Sequence, residues 1–203
     1  MPARDAGARP TRGTGILEAL LARLRIRRAL AALIPPPRGD SILDIGCGSN
    51  PWFLLRAPFT RKIGLDPEAA SPGTEDSGVE RIRFAWEPGA RLPFPDADFA
   101  CVSSLAVIEH LDPASLPGLF AEMNRVLAPG GRLILTTPHA VADPVLRALA
   151  RLGLVSREEI DEHKSLFRHQ DLRALLQGAG FKQEGIRVAG FLFGWNIVAL
   201  ADK

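Results

Sequence analysis

The sequence contains few cysteines, no tyrosine and no long uninterrupted apolar segment. Because Cys47 and Cys101 are the only cysteines, neither a disulfide framework nor a CxxC zinc site is expected. No run of about 18 or more apolar residues occurs, which argues against a transmembrane helix. The leucine-rich stretch 16–33 contains four arginines and a glutamate, so it is a poor signal-peptide core. These absences predict a cytoplasmic protein.

Charge is nearly balanced over the whole chain but uneven along it. The formal net charge is +2, whereas residues 1–40 carry eight arginines and three acids, a net charge of +5. Such a segment attracts anionic lipid or nucleic acid. No alternation of basic and aromatic residues supports nucleic-acid contact, so no nucleic-acid partner is expected. Peripheral membrane contact through a basic N-terminal helix stays open as an alternative to simple packing.

The length of 203 residues and the hydrophobic fraction of 46% suit one large α/β domain. Residues 1–13 are rich in Pro, Gly, Ala and Arg and are predicted to form a disordered tail. The rest, 14–203, is predicted to be a single domain that opens with an amphipathic helix over 14–34. The leucines expected to pack against the domain are Leu17, Leu20, Leu21 and Leu24.

A strand, a glycine turn and a helix start are predicted in close succession after residue 40. The apolar residues Ile42, Leu43 and Ile45 suit a central strand, and Gly46 and Gly48 allow a sharp turn that a Cβ would obstruct. Asn50 followed by Pro51 is typical of a helix start, because asparagine caps free N–H groups and proline fits the first helical position. A ligand can approach the backbone closely at such a turn.

An acid precedes this turn and restricts the ligand. Asp44 stands two residues before Gly46, at the predicted carboxyl end of the strand, where open α/β sheets bind ligands. The dinucleotide pattern G-x-G-x-x-G would need a third glycine where the chain has Pro51, so that pattern fails. An anion here repels a pyrophosphate and attracts a cation. A nicotinamide oxidoreductase is therefore disfavoured.

The Asp-x-Gly-x-Gly stretch closely resembles motif I of the class I S-adenosylmethionine-dependent methyltransferases. Asn50 stands where the family's usual pattern has a third glycine, and asparagine also tolerates positive φ. Two further stretches, 92–104 and 125–139, resemble the same family in the expected order, so the resemblance covers about residues 40–200. It implies an α/β fold: a Rossmann-like, seven-stranded, mostly parallel sheet with helices on both faces and one antiparallel strand.

The resemblance also implies S-adenosyl-L-methionine as cofactor and S-adenosyl-L-homocysteine as product. Asp44 would hold the ammonium group of the cofactor. Asp66, 18 residues after Gly48, would accept hydrogen bonds from the ribose hydroxyls. Glu87 lies near the position of an acid that binds the adenine amino group. The complete predicted cofactor set is Asp44, Gly46, Cys47, Gly48, Asn50, Asp66, Pro67, Glu87, Ser104 and Leu105.

A hydroxyl acceptor would benefit from a general base, and histidine is the natural candidate near neutral pH. His110 follows the fourth predicted strand and His139 the fifth, so both are candidate catalytic residues, although either could be purely structural. Some relatives in the resembling family bind a metal through an acid that is Ala106 here, so no metal is expected. The segment 139–167 is the candidate substrate lid, since an insertion after the fifth strand adjoins the methyl-transfer site in that fold.

Missing motifs restrict the acceptor. The sequence has neither the Pro-Pro-aromatic motif of amino-directed DNA methyltransferases nor the Pro-Cys nucleophile of cytosine-directed ones, and it lacks the paired-acid loop of protein arginine methyltransferases. A small-molecule, lipid-linked or glycan-precursor acceptor is therefore expected. The alternatives are a non-catalytic protein of the same fold that binds S-adenosylmethionine or a partner, and, less favoured, a nicotinamide oxidoreductase.

Overall fold

The computed structural model describes residues 16–69, 78–142 and 165–203, with side chains from residue 20 onward. The predicted tail and most of the predicted lid lie outside these ranges. The described helices are α1 (Ile16–Ala31), α2 (Trp52–Arg56), α3 (Leu116–Val126) and α4 (His169–Gly178). The described strands are β1 (Ser41–Ile45), β2 (Arg61–Asp66), β3 (Glu80–Arg83), β4 (Phe99–Leu105), β5 (Leu127–Pro138), β6 (Ile186–Phe191) and β7 (Asn196–Asp202).

The seven described strands form one sheet in the order β3-β2-β1-β4-β5-β7-β6. Neighbouring strands from β3 to β5 are parallel, and β7 runs antiparallel to both β5 and β6. This arrangement confirms the predicted α/β fold with one reversed strand. The chain leaves β1 on one side towards β2 and returns on the other as β4. Ligands bind such sheets at the carboxyl ends of the strands beside this switch point.

Helices cover both faces of the sheet, as predicted. On one face, α1 and α2 pack against Ile42, Cys101 and Ile134. On the other face, α3 and α4 pack against a larger apolar layer that includes Leu43 and Val102. The alternation of buried side chains along β1 and β4 between these two layers follows from the two-residue period of a strand. The two faces of the central strands are therefore covered, and their ends are left for ligands.

The packing face of α1 differs from the predicted leucine stripe. Leu20 is 49% exposed, and Leu21 and Leu24 are only half-buried. Among the side chains of α1 that the structure describes, which begin at residue 20 and so leave out Leu17, the buried ones are Ala22 and Ala29. The prediction that Leu20 packs inward was wrong because the side of α1 that packs in the core layer carries Ala29, with Ile26 and Leu30 partly buried beside it, and Leu20 lies outside that layer.

Two charged contacts give the direction of α1 relative to the sheet. Arg132, near the amino ends of the central strands, donates from Nη1 to the carbonyls of Ala32 and Pro35 at 2.8 and 2.9 Å. Arg25 acts electrostatically on Glu109, which follows the carboxyl end of β4. The helix therefore runs from the edge where β1, β2, β4 and β5 end, here called the carboxyl edge, towards the opposite, amino edge. No helix in the described part of the chain combines the length and the apolar character needed to cross a bilayer.

Candidate active site

The glycine turn after β1 has the conformation that its sequence requires. Gly46 and Gly48 have φ of +79° and +69°. The amides of Gly46 and Cys47 both donate to the Leu65 carbonyl, at 2.7 and 3.1 Å, so the turn is fastened to the end of β2. A Cβ on Gly46 would overlap Val107, whereas a Cβ on Gly48 would meet no atom within 4 Å. The second glycine therefore faces open space in which a ligand can contact the backbone.

Asp44 is a buried carboxylate at the end of β1. The Ser103 hydroxyl on β4 donates to its Oδ1 at 2.6 Å. Burial raises the pKa of Asp44 from 3.8 to about 7, with the Ser103 bond opposing this rise and the Asp66 carboxylate adding to it. None of the described groups that set this pKa is a cation. A buried carboxylate without a counter-charge is a favourable place for a ligand ammonium group.

Asp66 joins the glycine turn to the end of β2. Its Oδ2 accepts from the Gly48 amide and its Oδ1 from the Glu68 amide, both at 2.9 Å. Each carboxylate oxygen has room for about two hydrogen bonds, so within the described residues each retains a free acceptor position. Asp66 can therefore shape the turn and accept ribose hydroxyls together. Pro67, the next residue, is exposed at the same rim.

Two other residues of the predicted motif contribute differently from expectation. The Cys47 thiol is buried, donates to the Gly48 carbonyl at 3.5 Å, and has a raised pKa because of burial. Its side chain therefore belongs to the core, and only its backbone borders the turn. The helix after the turn begins at Trp52, with Pro51 as its cap residue and no side-chain cap. The expected start was wrong by one residue, because Asn50 lies outside the helix and uses its carbonyl to accept the Trp52 amide at 2.7 Å.

The predicted adenine region lies after β3. Trp86 is half-buried against the core beside Gly118 of α3, and its buried Nε1 has no hydrogen-bond partner in the described part of the chain. Glu87 is exposed in a turn that the Ala90 amide closes onto its carbonyl at 3.0 Å. Both residues follow β3, which ends at the same edge as β2, and the assignment of Glu87 to adenine stays a prediction.

The carboxyl ends of β4 and β5 carry unpaired hydroxyls and a strained residue. Ser104 Oγ and Thr136 Oγ1 are buried and lack partners among the described residues. Leu105 is half-buried against the α1 and α2 layer. Ala106 has a φ of +59°, and its amide donates to the Thr136 carbonyl at 2.8 Å. Unpaired polar groups and backbone strain at a strand end are typical of ligand sites.

Glu109 is a buried acid that the sequence did not single out. It is 1% exposed, accepts a 3.0 Å hydrogen bond from Thr137 Oγ1, and has a pKa raised by burial to about 7, which Arg25 opposes. Buried glutamates are rare, so a glutamate after a strand is expected to be exposed. The only sequence feature that pointed to burial of Glu109 was the pair of apolar residues before it, Val107 and Ile108.

The two candidate catalytic histidines follow β4 and β5 as predicted. His139 Nδ1 accepts from the Val141 amide at 3.0 Å, which leaves the proton of the neutral ring on Nε2. Burial and the neighbouring His169, whose ring centre lies 5.0 Å away, lower the pKa of His139. This geometry suits a hydrogen-bond donor better than a base. His110 is half-buried in the 3₁₀ turn Ile108–His110.

Comparison with known proteins gives a family. The model of a family described as "Methyltransferase domain" matches residues 17–184. A probable S-adenosylmethionine-dependent methyltransferase of Mycolicibacterium smegmatis is 32% identical over 72% of this chain and 53% of its own length. A demethylmenaquinone methyltransferase of Deinococcus radiodurans is 33% identical over 62% of this chain and 54% of its own length. The chain thus spans about half the length of these curated relatives.

A solved structure has the same fold. The 1,6-didemethyltoxoflavin-N1-methyltransferase of Burkholderia thailandensis, with its substrate and S-adenosylhomocysteine bound, superposes with a TM-score of 0.63 at 16% identity, over 92% of this chain and 81% of that one. At this identity the likeness concerns the fold alone. With a family match over most of its length, the motif order described above and this sheet topology, the chain belongs to the class I S-adenosylmethionine-dependent methyltransferases.

Proposed function

We propose that this chain transfers a methyl group from S-adenosylmethionine to a small-molecule acceptor of lipid-linked character. The observation that carries the proposal is Asp44, a buried carboxylate beside the glycine turn whose Oδ1 accepts a hydrogen bond from the Ser103 hydroxyl. Gly48 leaves open space next to this carboxylate. A ligand with an ammonium group and a slender chain suits that combination of charge and shape.

Different residues at the carboxyl edge would bind different parts of the cofactor. S-adenosylmethionine supplies a methyl group on a positively charged sulfur, which makes that carbon electrophilic. Asp44, once ionised, would accept hydrogen bonds from the ammonium group, and a cation there would lower its pKa again. Asp66 would accept from the ribose hydroxyls while continuing to hold the Gly48 amide. Ser104 Oγ, buried and unpaired within the described chain, is a further polar contact.

The acceptor would meet different side chains. His139 would donate from Nε2–H to an acceptor oxygen and orient it, because Nδ1 is already engaged by the Val141 amide. His110 is the candidate base for removing a proton. The names of two similar proteins support a small acceptor, since one is a demethylmenaquinone methyltransferase and the other acts on 1,6-didemethyltoxoflavin. A glycan precursor is the alternative acceptor within the same proposal.

The cofactor assignment is tested by calorimetric titration of the full chain with S-adenosylmethionine, S-adenosylhomocysteine and NAD. We expect the first two to bind and NAD to give no heat of binding. Asp44→Ala should abolish measurable binding of S-adenosylmethionine. The matched control is Asp40→Asn at the opposite end of β1, where the carboxylate accepts the Thr60 amide at 2.8 Å, and this variant should bind normally. Binding of NAD alone, or equal loss in both variants, would contradict the proposal.

A further inference from the structure

Three large apolar side chains lie exposed at one end of the molecule. Phe193 is 97% exposed, Val141 61% and Leu166 44%. Single exposed apolar residues are ordinary, whereas a group of them usually marks a binding surface. We call these three residues the carboxyl-edge apolar cluster.

Hydrogen bonds bring together the three chain segments that carry the cluster. The His139 amide donates to the Trp195 carbonyl at 2.8 Å, which joins the residues after β5 to the turn between β6 and β7. The Ala140 amide donates to the Phe167 carbonyl at 2.9 Å, which joins the same residues to the segment before α4. Since β5 and β6 both end at the carboxyl edge, the cluster lies at the edge that holds the candidate active site.

Phe193 occupies an unfavourable conformation as well as an unfavourable environment. Leu192 and Phe193 have φ of +54° and +57° in the β6–β7 turn, which the Gly194 amide closes onto the Phe191 carbonyl at 3.2 Å. Glycine and asparagine are the residues that fit such consecutive left-handed positions. A phenylalanine here costs both backbone strain and exposed apolar surface in the free chain. A binding partner that covers the ring would offset both costs.

The charge on the neighbouring surface indicates the kind of partner. Arg23 and Arg27 are exposed one turn apart on α1, and Leu20, 49% exposed, lies on the same side one turn earlier. Since α1 runs from the carboxyl edge, where Arg25 acts on Glu109, towards the amino edge, Leu20 and Arg23 lie near the edge that carries the apolar cluster, and Arg27 lies one turn further from it. The whole segment 1–40 has a net charge of +5. Exposed apolar side chains next to arginines are the combination that binds an anionic lipid surface.

We propose that the carboxyl edge docks on an anionic lipid membrane. The apolar cluster enters the headgroup region, and Arg23 and Arg27 contact lipid phosphates. In this orientation the candidate active site faces the bilayer. Docking stands on the exposed side chains and the charge of α1, so it holds independently of whether the chain transfers methyl groups.

The test is co-sedimentation of the full chain with phosphatidylcholine vesicles that either contain or lack phosphatidylglycerol. We expect binding only to the anionic vesicles, weakened by added salt. Phe193→Asn should weaken it about tenfold, because a buried aromatic ring is lost. The same variant should have an unfolding temperature equal to or above that of the parent, because asparagine fits the left-handed backbone. The double variant Arg23→Gln/Arg27→Gln should also bind more weakly.

Ile34→Asn is the matched control. Ile34 is 78% exposed but lies at the amino edge, beside the residues that Arg132 contacts, so its replacement should leave vesicle binding unchanged. No binding of the parent to anionic vesicles, or equal weakening by Ile34→Asn and Phe193→Asn, would overturn the proposal. So would a parent dimer in solution that Phe193→Asn dissociates, because the cluster would then be a protein interface. S-adenosylmethionine affinity without vesicles should be the same in all variants, so a failure of docking and a failure of the proposed function give different results.

Discussion

Replacing Asp44 by asparagine separates its charge from its shape. The asparagine carbonyl can still accept the Ser103 hydrogen bond, which is 2.6 Å long in the parent, so the turn keeps its support. The variant loses the ionic part of the contact with a ligand ammonium group. Hydrogen bonds to charged groups contribute about 1.5–3 kcal/mol, which corresponds to roughly 10- to 150-fold in affinity for S-adenosylmethionine at neutral pH.

The same substitution should stabilise the protein without ligand. The pKa of Asp44 is about 7 in the folded chain, against an ordinary value of 3.8. Between these two pH values the folded state keeps a proton that the unfolded chain has lost, so folding stability decreases as pH rises from about 4 to 7. The loss is at most roughly 4 kcal/mol. Asp44→Asn carries no such charge, so its stability should depend less on pH and exceed that of the parent at about pH 8.

Two measurements on one pair of proteins test this reasoning. Urea unfolding at about pH 5 and pH 8 gives the stability difference, and calorimetry between about pH 5.5 and pH 7 gives the affinity for S-adenosylmethionine. The affinity of the parent should rise with pH by up to about tenfold per pH unit, because ionised Asp44 is the binding form, whereas that of the variant should be nearly constant. A variant that binds within about threefold of the parent at pH 7, with the same pH profile, would refute the assigned role.

Three further substitutions give independent expectations. Gly46→Ala should lower the free energy of unfolding, measured by urea titration, by roughly 2–4 kcal/mol. The reason is that a Cβ at this position overlaps Val107 and that the backbone has a positive φ. A loss below about 1 kcal/mol would contradict the described packing. Glu109→Gln should keep the Thr137 hydrogen bond and be more stable than the parent at about pH 8, because the parent glutamate has a pKa of about 7 and is charged at that pH. Lower stability of the variant at about pH 8 would argue that the charge of Glu109 is essential. His139→Asn should reduce kcat of methyl transfer about tenfold with unchanged cofactor affinity, and a change in affinity alone would place His139 at the cofactor instead.

Strand β1, the glycine turn and the first half of the candidate site follow from local patterns in the sequence, whereas the seven-stranded topology was expected from the resemblance to the methyltransferase family. An apolar run, two glycines and an acid two residues before them were enough to predict β1, the turn and the position of Asp44. The sequence assigned Asp66 to the same site as Gly48, which stands 18 residues before it. In the structure the Gly48 amide donates a hydrogen bond to the Asp66 carboxylate. Such features are predictable because a strand end and the turn after it depend mainly on neighbouring residues.

The remaining features depend on contacts between distant segments. Ser103 became the partner of Asp44 only because β1 pairs with β4, and the two residues are 59 positions apart. The rotation of α1 depends on the packing of Ala29 in the layer with Ile42 and Cys101 of distant strands, and the leucine pattern alone favoured another face. Burial of Glu109 depends on Thr137 of another strand. Propensity and periodicity do not contain this information.

The most direct test of the central claim is transfer of a labelled methyl group from S-adenosylmethionine into cell extracts by the full chain. We expect label in a product that partitions into the organic phase, and no labelled product with Asp44→Ala, whereas Asp40→Asn should label the same product as the parent. Absence of labelled product from both the aqueous and the organic extract, with the parent no different from heat-denatured protein, would contradict the account.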